Sequence, residues 1–238
     1  MTNAPYLLQK GRGGYRMGHD KVYDHMMLDG LEDAYEAGRS MGTFGEDCAA
    51  KYNFTRDAQD KFAMASVRRA QDAIKNGAFK DEIAPVTVKD RKGERVVDTD
   101  EGPGKINIDK IPTLKPAFKK DGTVTAAASS SINDGAAAMV MMRESTAKKL
   151  GVKPLARIVS HATHAQEPEW FSTAPIGATE KALEKAGWKV DDVDLWEINE
   201  AFAVVPMALM HDLKVPHDKV NVNGGACALG HPIGASGA

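Results

Sequence analysis

The chain has 238 residues, of which 42% are hydrophobic and 27% charged, as in folded globular proteins, and its formal net charge of −2 argues against a nucleic-acid-binding protein. Its two cysteines lie far apart, which excludes a disulfide framework and a cysteine zinc site and indicates a reducing compartment. Without a secretory leader pattern or an apolar run of about 20 residues, we expect a cytoplasmic protein with no membrane role.

The first part of the chain is predicted to be helical. Apolar residues fall roughly on one side of the segment 23–37, which favours a first helix. A second helix is predicted from Thr55, a candidate N-cap, to Asn76, with Gly77 as its terminator.

A hairpin and a long surface segment are expected next. Two short β-like runs lie on either side of Lys92-Gly93 within residues 83–97, which predicts a β-hairpin. Residues 98–116 are rich in proline, glycine and charge, and we expect them to cross the surface without regular structure.

From Thr123 onward, predicted strands alternate with predicted helices, which is typical of an α/β domain. Two buried strands are expected within 123–142, including the apolar run 136–142. The other predicted strands are 155–165, 194–199 and 219–223, and the predicted helices are 145–150, 178–186 and 200–213. The preceding helical portion is interpreted as an insertion or cap.

The first candidate site is the glycine-rich run from Asn221 to Ala238. Its spacing matches neither a Walker loop nor a dinucleotide-binding loop, but its glycines allow an oxyanion or a thioester to approach the backbone. His231 lies between Gly230 and Pro232, where an imidazole can exchange a proton near neutral pH.

The second candidate site is the run 197–203, at the predicted junction of a strand and a helix. Ligands bind at the carboxyl ends of parallel strands. Asn199 there is either a helix cap or an amide that holds a water or polarises a carbonyl, and the residues leave both possibilities open.

Three further features are interpreted as structural. His161 and His164 do not share a face of their predicted strand, so no metal site is expected there. The methionines at 139, 141 and 142 are expected in the core, and Cys227 is expected to be a small buried residue rather than a nucleophile.

These motifs resemble those of a known family. The pattern from Asn221 to Gly237 resembles the GHP-containing motif of the thiolases, the acetyl-CoA acetyltransferases, and NEAFA at 199–203 resembles the family's other landmark. Residues 122–138 resemble the thiolase segment that returns from the loop domain to the core. The resemblance extends over the whole chain and implies an α/β thiolase-like fold.

The resemblance also implies a reaction and its residues. Thiolases transfer an acyl group through a cysteine thiolate and use a second cysteine to remove the α-proton of the attacking acyl-CoA. His231 would contribute to the enolate oxyanion hole and activate the nucleophile, while Asn199 would anchor a water in the same hole. The implied substrate-binding residues are Met41, Phe118, Ala126, Ser130, Phe202, Gly230 and Lys105, with Lys105 next to a position where some members have a nucleotide-contacting arginine.

The same resemblance implies that part of the site lies outside these 238 residues. Cys48 and Cys227 match neither thiolase cysteine, so we expect an incomplete fold that is inactive and prone to associate by itself. The expected parts are a loop (cap) domain with the tail of the N-terminal core over 1–123, the remainder of the N-terminal core over 124–151 and the first, truncated part of the C-terminal core over 152–238.

The implied protein condenses two acyl-CoA molecules, or cleaves a 3-ketoacyl-CoA by thiolysis, as a homodimer or homotetramer. Coenzyme A thioesters would be substrates rather than bound cofactors, and no metal is implied. The alternatives are a non-catalytic thiolase-like CoA-binding protein and a condensing enzyme of the ketoacyl-synthase type. An unrelated phosphate-binding α/β module is a further alternative.

Overall fold

The computed structural model describes residues 1–91 and 93–237. Seven α-helices are assigned within this part of the chain: α1 (Met41–Tyr52), α2 (Arg56–Asn76), α3 (Glu101–Lys105), α4 (Glu144–Leu150), α5 (Ala174–Ala186), α6 (Val204–Leu213) and α7 (Ala226–Leu229). The strands form two antiparallel pairs, β1 (Tyr6–Leu7) with β2 (Tyr23–Asp24) and β3 (Val86–Asp90) with β4 (Gly93–Val97). Short 3-10 helices cover Ile108–Thr113, Pro168–Thr173, Val190–Asp192 and His217–Lys219.

The predicted helix from Thr55 is confirmed as α2. The Thr55 hydroxyl accepts the Ala58 N–H at 3.1 Å, and Gly77 ends the helix in the left-handed region with φ 73°. Helix α1, which the sequence analysis did not predict, is capped in the same way by Ser40 and ends at Asn53 with φ 57°.

The predicted helix over 23–37 is wrong. Tyr23–Asp24 pairs with the N-terminal strand, and only a π-helical turn, Met27–Leu31, follows. The Asp33 carboxylate then accepts the backbone N–H groups of Tyr35 and Glu36 at 2.9 and 2.6 Å. These local bonds satisfy donors that a continuing helix would have used, so the chain turns instead.

The predicted hairpin is confirmed as β3–β4, although Lys92 in its turn lies outside the described residues. The prediction for 98–116 is partly wrong because this segment contains α3 and the 3-10 helix Ile108–Thr113. The Ile111 side chain is buried against α2, and Arg56 of α2 donates to the Leu114 carbonyl at 2.7 Å. These contacts fix the path of the segment 98–116, although its sequence has no periodic pattern of apolar residues.

The predicted strands after Thr123 are not assigned in the described residues. Segments 194–199 and 219–223 meet in one parallel bridge between Trp196 and Val220. The runs 136–142 and 155–160 lie mostly exposed. Met139, Met141 and Met142 are among the exposed residues, so the predicted burial of the run 136–142 is wrong. An apolar run becomes a strand only when a neighbour pairs with its backbone, and within residues 1–91 and 93–237 no strand lies beside these runs.

The three predicted helices after Thr123 are confirmed with shifted boundaries. Helix α4 ends at Gly151 and α5 at Gly187, both glycines adopting the left-handed conformation common at helix ends, and α5 begins four residues before the predicted start at 178. Helix α6 begins at Val204 rather than at 200, because residues 200–203 form a turn and a bridge.

The main core lies between α1, α6 and the Trp196–Val220 bridge. Phe202, Leu209, Val204 and Val220 are buried there, and Met41 and Phe118 pack against the same cluster. Helix α2 packs against α7 in a smaller cluster around Val67 and Ala228. The two predicted site motifs therefore start from buried anchors. Within the described residues, none of the helices is long and apolar enough to cross a membrane.

Candidate active site

The two candidate motifs leave the core side by side. The Trp196 N–H donates to the Lys219 carbonyl at 2.9 Å, and the Asn221 N–H donates to the Trp196 carbonyl at 2.8 Å. This parallel pairing sends residues 197–203 and 221–231 in the same direction from the same end of the bridge. Ligands bind at the carboxyl ends of parallel-paired segments, and Asn199 lies three residues beyond the Trp196–Val220 bridge.

Asn221 ties the first motif to the second. Its side-chain oxygen accepts the Ile198 N–H at 2.8 Å, and its amide nitrogen donates to the Ile198 carbonyl and to Glu200 Oε1, both at 2.8 Å. The Asn221 backbone has φ 46°, a conformation that asparagine tolerates better than most residues. Asn221 is thus a buried connector that the sequence analysis noted only as the start of a motif.

A third segment, 128–131, connects the two motifs from the other side. The Ala203 N–H donates to the Ala128 carbonyl at 2.8 Å, and the Ser130 N–H donates to the Ala201 carbonyl at 3.0 Å. The His231 N–H then donates to the Ser131 carbonyl at 3.0 Å. Ser130 is therefore half-buried at the junction of both motifs.

The two predicted catalytic side chains are in contact. The Asn199 amide nitrogen lies 3.3 Å from His231 Nε2, although the residues are 32 positions apart. Because an amide nitrogen only donates, Nε2 accepts and the neutral ring carries its proton on Nδ1. That Nδ1 lies 2.7 Å from Ser236 Oγ, whose hydroxyl donates to the Pro232 carbonyl at 3.2 Å.

The surroundings of His231 keep its ring neutral. Burial lowers the pKa of His231 because the charged imidazolium loses hydration in the half-buried site. The hydrogen-bond chain from Asn199 through His231 to Ser236 therefore presents an unprotonated Nε2 toward Asn199 near neutral pH.

Gly230 meets a backbone requirement just before His231. Its φ of 91° and ψ of 169° lie in a region that side chains with a Cβ avoid. A Cβ there would also approach the Asn133 amide to 2.2 Å. Gly230 thus sets the path of the chain into His231.

An aromatic pair covers the start of α1. The rings of Phe118 and Phe202 pack edge to face with centroids 5.8 Å apart, and Phe118 lies directly over Gly42. Met41, the first residue of α1, packs against the cluster that contains Phe202. Three of the predicted substrate-binding residues are therefore neighbours in one apolar cluster.

The remaining predicted binding residues lie at the surface. Ala126 is exposed, next to the buried Thr125. Lys105 is exposed at the end of α3 and pairs with Glu101 at 3.5 Å. Helix α3 packs against α2 and α7, and α7 leads to Gly230.

A cavity of about 260 Å³ opens beside Asn199. Its walls come from the 3-10 helix Pro168–Thr173, from the start of α5, from residues 197–201 and from α6: Phe171, Pro175, Thr179, Glu197, Ile198, Asn199, Ala201, Val205 and Leu209. Burial raises the pKa of the Glu197 carboxyl, and the nearby Glu200 and Glu82 carboxylates add to the effect. Residues 168–179 carry no recognisable motif, so this wall could not be predicted from the sequence.

Neither cysteine is placed to act as a nucleophile. Cys48 and Cys227 are 0% and 4% exposed. Burial raises the pKa of both thiols, and the Glu200 carboxylate raises that of Cys227 further. The prediction that Cys227 is a small buried residue is confirmed.

His164, one of the two histidines considered for a metal site, has its ring nitrogens bonded to protein side chains. His164 contacts Lys181 through Nδ1 at 3.0 Å and Gln166 through Nε2 at 3.1 Å. In the part of the chain that the structure describes, no group of three or more His, Cys, Asp or Glu side chains is arranged to hold a metal ion.

Comparisons with known proteins agree with this architecture. Residues 1–145 match the thiolase N-terminal domain family and residues 152–238 match the thiolase C-terminal domain family. The chain is 52% identical to a probable acetyl-CoA acetyltransferase of Dictyostelium discoideum and 49% identical to an acetyl-CoA acetyltransferase of Pseudomonas aeruginosa. All of the chain is covered in both alignments, but only 57% and 61% of those relatives.

Solved structures give the same result. The Bacillus anthracis acetyl-CoA acetyltransferase superposes on 98% of the chain with a TM-score of 0.92 and 42% identity, over 59% of its own length. The Syntrophomonas wolfei acetyl-CoA acetyltransferase superposes on 99% with a TM-score of 0.89 and 40% identity, over 61% of its length. The predicted α/β thiolase-like fold is confirmed for the matched part. The chain spans about 60% of the length of these relatives, and it belongs to the thiolase family.

Proposed function

We propose that the 238 residues supply part of the active site of an acyltransferase that forms or cleaves 3-ketoacyl-CoA. The observation that carries this proposal is the contact between Asn199 and His231 Nε2 at 3.3 Å. It brings together the two motifs that resemble thiolase motifs, and the residues are of the types that stabilise an oxyanion and move a proton.

The proposed mechanism begins with the unprotonated Nε2 of His231. A cysteine thiol gives its proton to Nε2, and the resulting thiolate attacks the ketone carbonyl of a 3-ketoacyl-CoA. The protonated Nε2 and a water held by the Asn199 amide then donate to the thioester oxygen of the acetyl-CoA enolate, on which negative charge builds as the carbon–carbon bond breaks. Cleavage of the carbon–carbon bond leaves the acetyl-CoA enolate, which takes a proton from the second cysteine implied by the family resemblance. Coenzyme A gives its thiol proton to that second cysteine and, as the thiolate, removes the acyl group from the first cysteine, which recovers its proton from Nε2. Condensation runs through the same steps in reverse.

The apolar cluster beside α1 fits the proposed binding of a pantetheine arm. The proposed lining consists of Met41, Phe118, Ala126, Ser130, Phe202 and Gly230, and Lys105 would approach the CoA nucleotide. Acetyl-CoA as substrate is part of the same proposal, supported by the names of the relatives. A homodimeric or homotetrameric assembly and a cytoplasmic location are proposed with it from the resemblance and the composition alone.

The nucleophile is proposed to come from outside these 238 residues. Cys48 and Cys227 are both buried with raised thiol pKa values, which disfavours the thiolate that the reaction needs. We therefore expect the 238-residue chain by itself to leave acetoacetyl-CoA unchanged in the presence of coenzyme A.

The decisive experiment places the chain within a complete thiolase. The 238 residues replace the matching part of the Dictyostelium discoideum relative, to which they are 52% identical, and thiolysis of acetoacetyl-CoA is measured. We expect turnover, and His231→Ala should lower kcat by roughly 10²–10⁴-fold. Asn199→Ala should lower it by roughly 10²–10³-fold.

His211→Ala serves as the matched control, because this histidine lies near the end of α6 and contacts Asp212 rather than the site. A folded chimera without turnover would contradict the proposal and favour a non-catalytic CoA-binding role. Full activity of the His231→Ala variant would contradict the assigned mechanism.

A further inference from the structure

We propose that Glu200 is a positioning residue whose buried carboxylate holds the Asn199 and His231 segments in register. This inference rests on the proposed function, because holding Asn199 and His231 in place matters for catalysis only if both residues take part in the reaction. Its test, however, is a spectroscopic measurement on the chain itself, so the two can fail separately.

The Glu200 carboxylate is fully buried and bonded to three segments. Its Oε2 accepts the Ser66 hydroxyl of α2 at 2.7 Å and the Cys227 N–H of α7 at 2.9 Å. Its Oε1 accepts the Asn221 amide at 2.8 Å. All three donors are neutral, so hydrogen bonds offset the loss of hydration of this carboxylate.

The position of these bonds explains the proposed role. Glu200 directly follows Asn199, and Cys227 lies in the first turn of α7, where backbone N–H groups have no partner within the helix. Helix α7 ends at Leu229, and Gly230 leads to His231. One carboxylate therefore fixes the start of both segments that bring Asn199 to His231.

The paired glycines before α7 make room for this carboxylate. A Cβ on Gly225 would lie 2.3 Å from the carboxyl carbon of Glu200. The Gly225 N–H donates to Ser66 Oγ at 3.0 Å, so Ser66 links α2, the glycine loop and the carboxylate. Gly224 has φ 84°, and a Cβ there would meet Ala70 of α2 at 2.6 Å. These two glycines thus allow close packing, rather than forming an oxyanion site as their sequence suggested.

A neutral isostere does not replace the carboxylate. Glutamine has one acceptor oxygen and one donor nitrogen, while Glu200 receives donors on both oxygens. In Glu200→Gln, the new NH₂ group faces either the Asn221 amide or the Cys227 N–H, and the two donors repel each other. The segments that carry Asn199 and His231 are then no longer held together by hydrogen bonds to one carboxylate.

The test is ¹⁵N NMR of the His231 ring in the 238-residue chain near neutral pH. Bonds to Asn199 and Ser236 hold one tautomer, so the two ring nitrogens of the unchanged chain have well-separated shifts. In Glu200→Gln we expect this separation to be lost as the tautomers interchange. A Glu200→Gln chain that folds, by circular dichroism, and keeps the separation would overturn the proposal.

Two further variants distinguish a specific effect of Glu200 on His231 from a general loss of stability. Glu46→Gln is the matched control: Glu46 is another buried carboxylate, bonded to the Thr123 and Val124 N–H groups at 2.9 Å. The Glu46→Gln variant should keep the shift separation between the two His231 ring nitrogens. Loss of that separation in Glu46→Gln would overturn the proposal. If Glu200→Gln does not fold, Ser66→Ala decides, because it removes one donor and should reduce the separation, whereas an unchanged separation would overturn the proposal.

Discussion

The packing of Phe118 on Gly42 predicts a large difference between two identical substitutions on α1. A Cβ at Gly42 would lie 2.2 Å from two carbons of the Phe118 ring, while a Cβ at Gly45 would lie 3.4 Å from the Phe202 ring. The first distance is a clash and the second is an ordinary contact. Gly42→Ala must therefore displace the Phe118 ring, and Gly45→Ala need not move its neighbour.

The magnitudes follow from these distances. Overpacking costs about 1–3 kcal/mol, and losing the edge-to-face pair with Phe202 costs about 0.5–1.5 kcal/mol. Replacing glycine by alanine in a helix returns about 0.5–1 kcal/mol in both variants. We expect Gly42→Ala to be less stable than Gly45→Ala by about 2 kcal/mol. For a chain of this size, that difference corresponds to roughly 4–8 °C in the unfolding midpoint.

The assay is thermal unfolding followed by circular dichroism, with both variants and the unchanged chain at the same low concentration and scan rate. Gly45→Ala should unfold at or slightly above the midpoint of the unchanged chain. A Gly42→Ala midpoint equal to or above that of Gly45→Ala would refute the placement of the Phe118 ring on α1.

Three other predictions concern protonation, thiol reactivity and association. Burial, with the Arg69 charge, lowers the pKa of His217, which stacks on Phe62 with centroids 5.0 Å apart. The unfolded chain thus binds more protons, and the unfolding free energy should fall as pH drops below about 6.5, and less steeply in His217→Phe. Equal pH dependence in both chains would refute this role. Thiol reagents should modify Cys48 and Cys227 slowly in the native chain and fast in urea, whereas fast native labelling would contradict their burial. Val140 is 89% exposed, so Val140→Lys should reduce self-association in analytical ultracentrifugation, and an unchanged distribution would show that the run 136–142 is not the contact.

The elements that could be predicted from sequence are those with local causes. Helix α2 begins where the Thr55 hydroxyl caps it and ends where Gly77 adopts a positive φ. The endings of α4 and α5 at Gly151 and Gly187 have the same cause. These capping interactions join residues only a few positions apart, so they can be predicted from the sequence without knowing the rest of the fold.

The errors arose where a local pattern had two outcomes. The side chain of Asp33 turned a helix-like segment into a turn, although apolar spacing favoured a helix. The apolar run 136–142 indicated burial but did not say which neighbour would cover it, and within the described residues the run is exposed.

The sequence by itself determined which motifs are present and the residue types that suit acyl transfer, because those are properties of single residues and short spacings. Only the tertiary structure decided that Asn199 contacts His231 and that Ser236 fixes its tautomer. It also decided that Glu200, which directly follows Asn199, is buried and bonded to three segments. These contacts join residues separated by up to 134 positions, and such pairings depend on how the whole core packs rather than on any local preference.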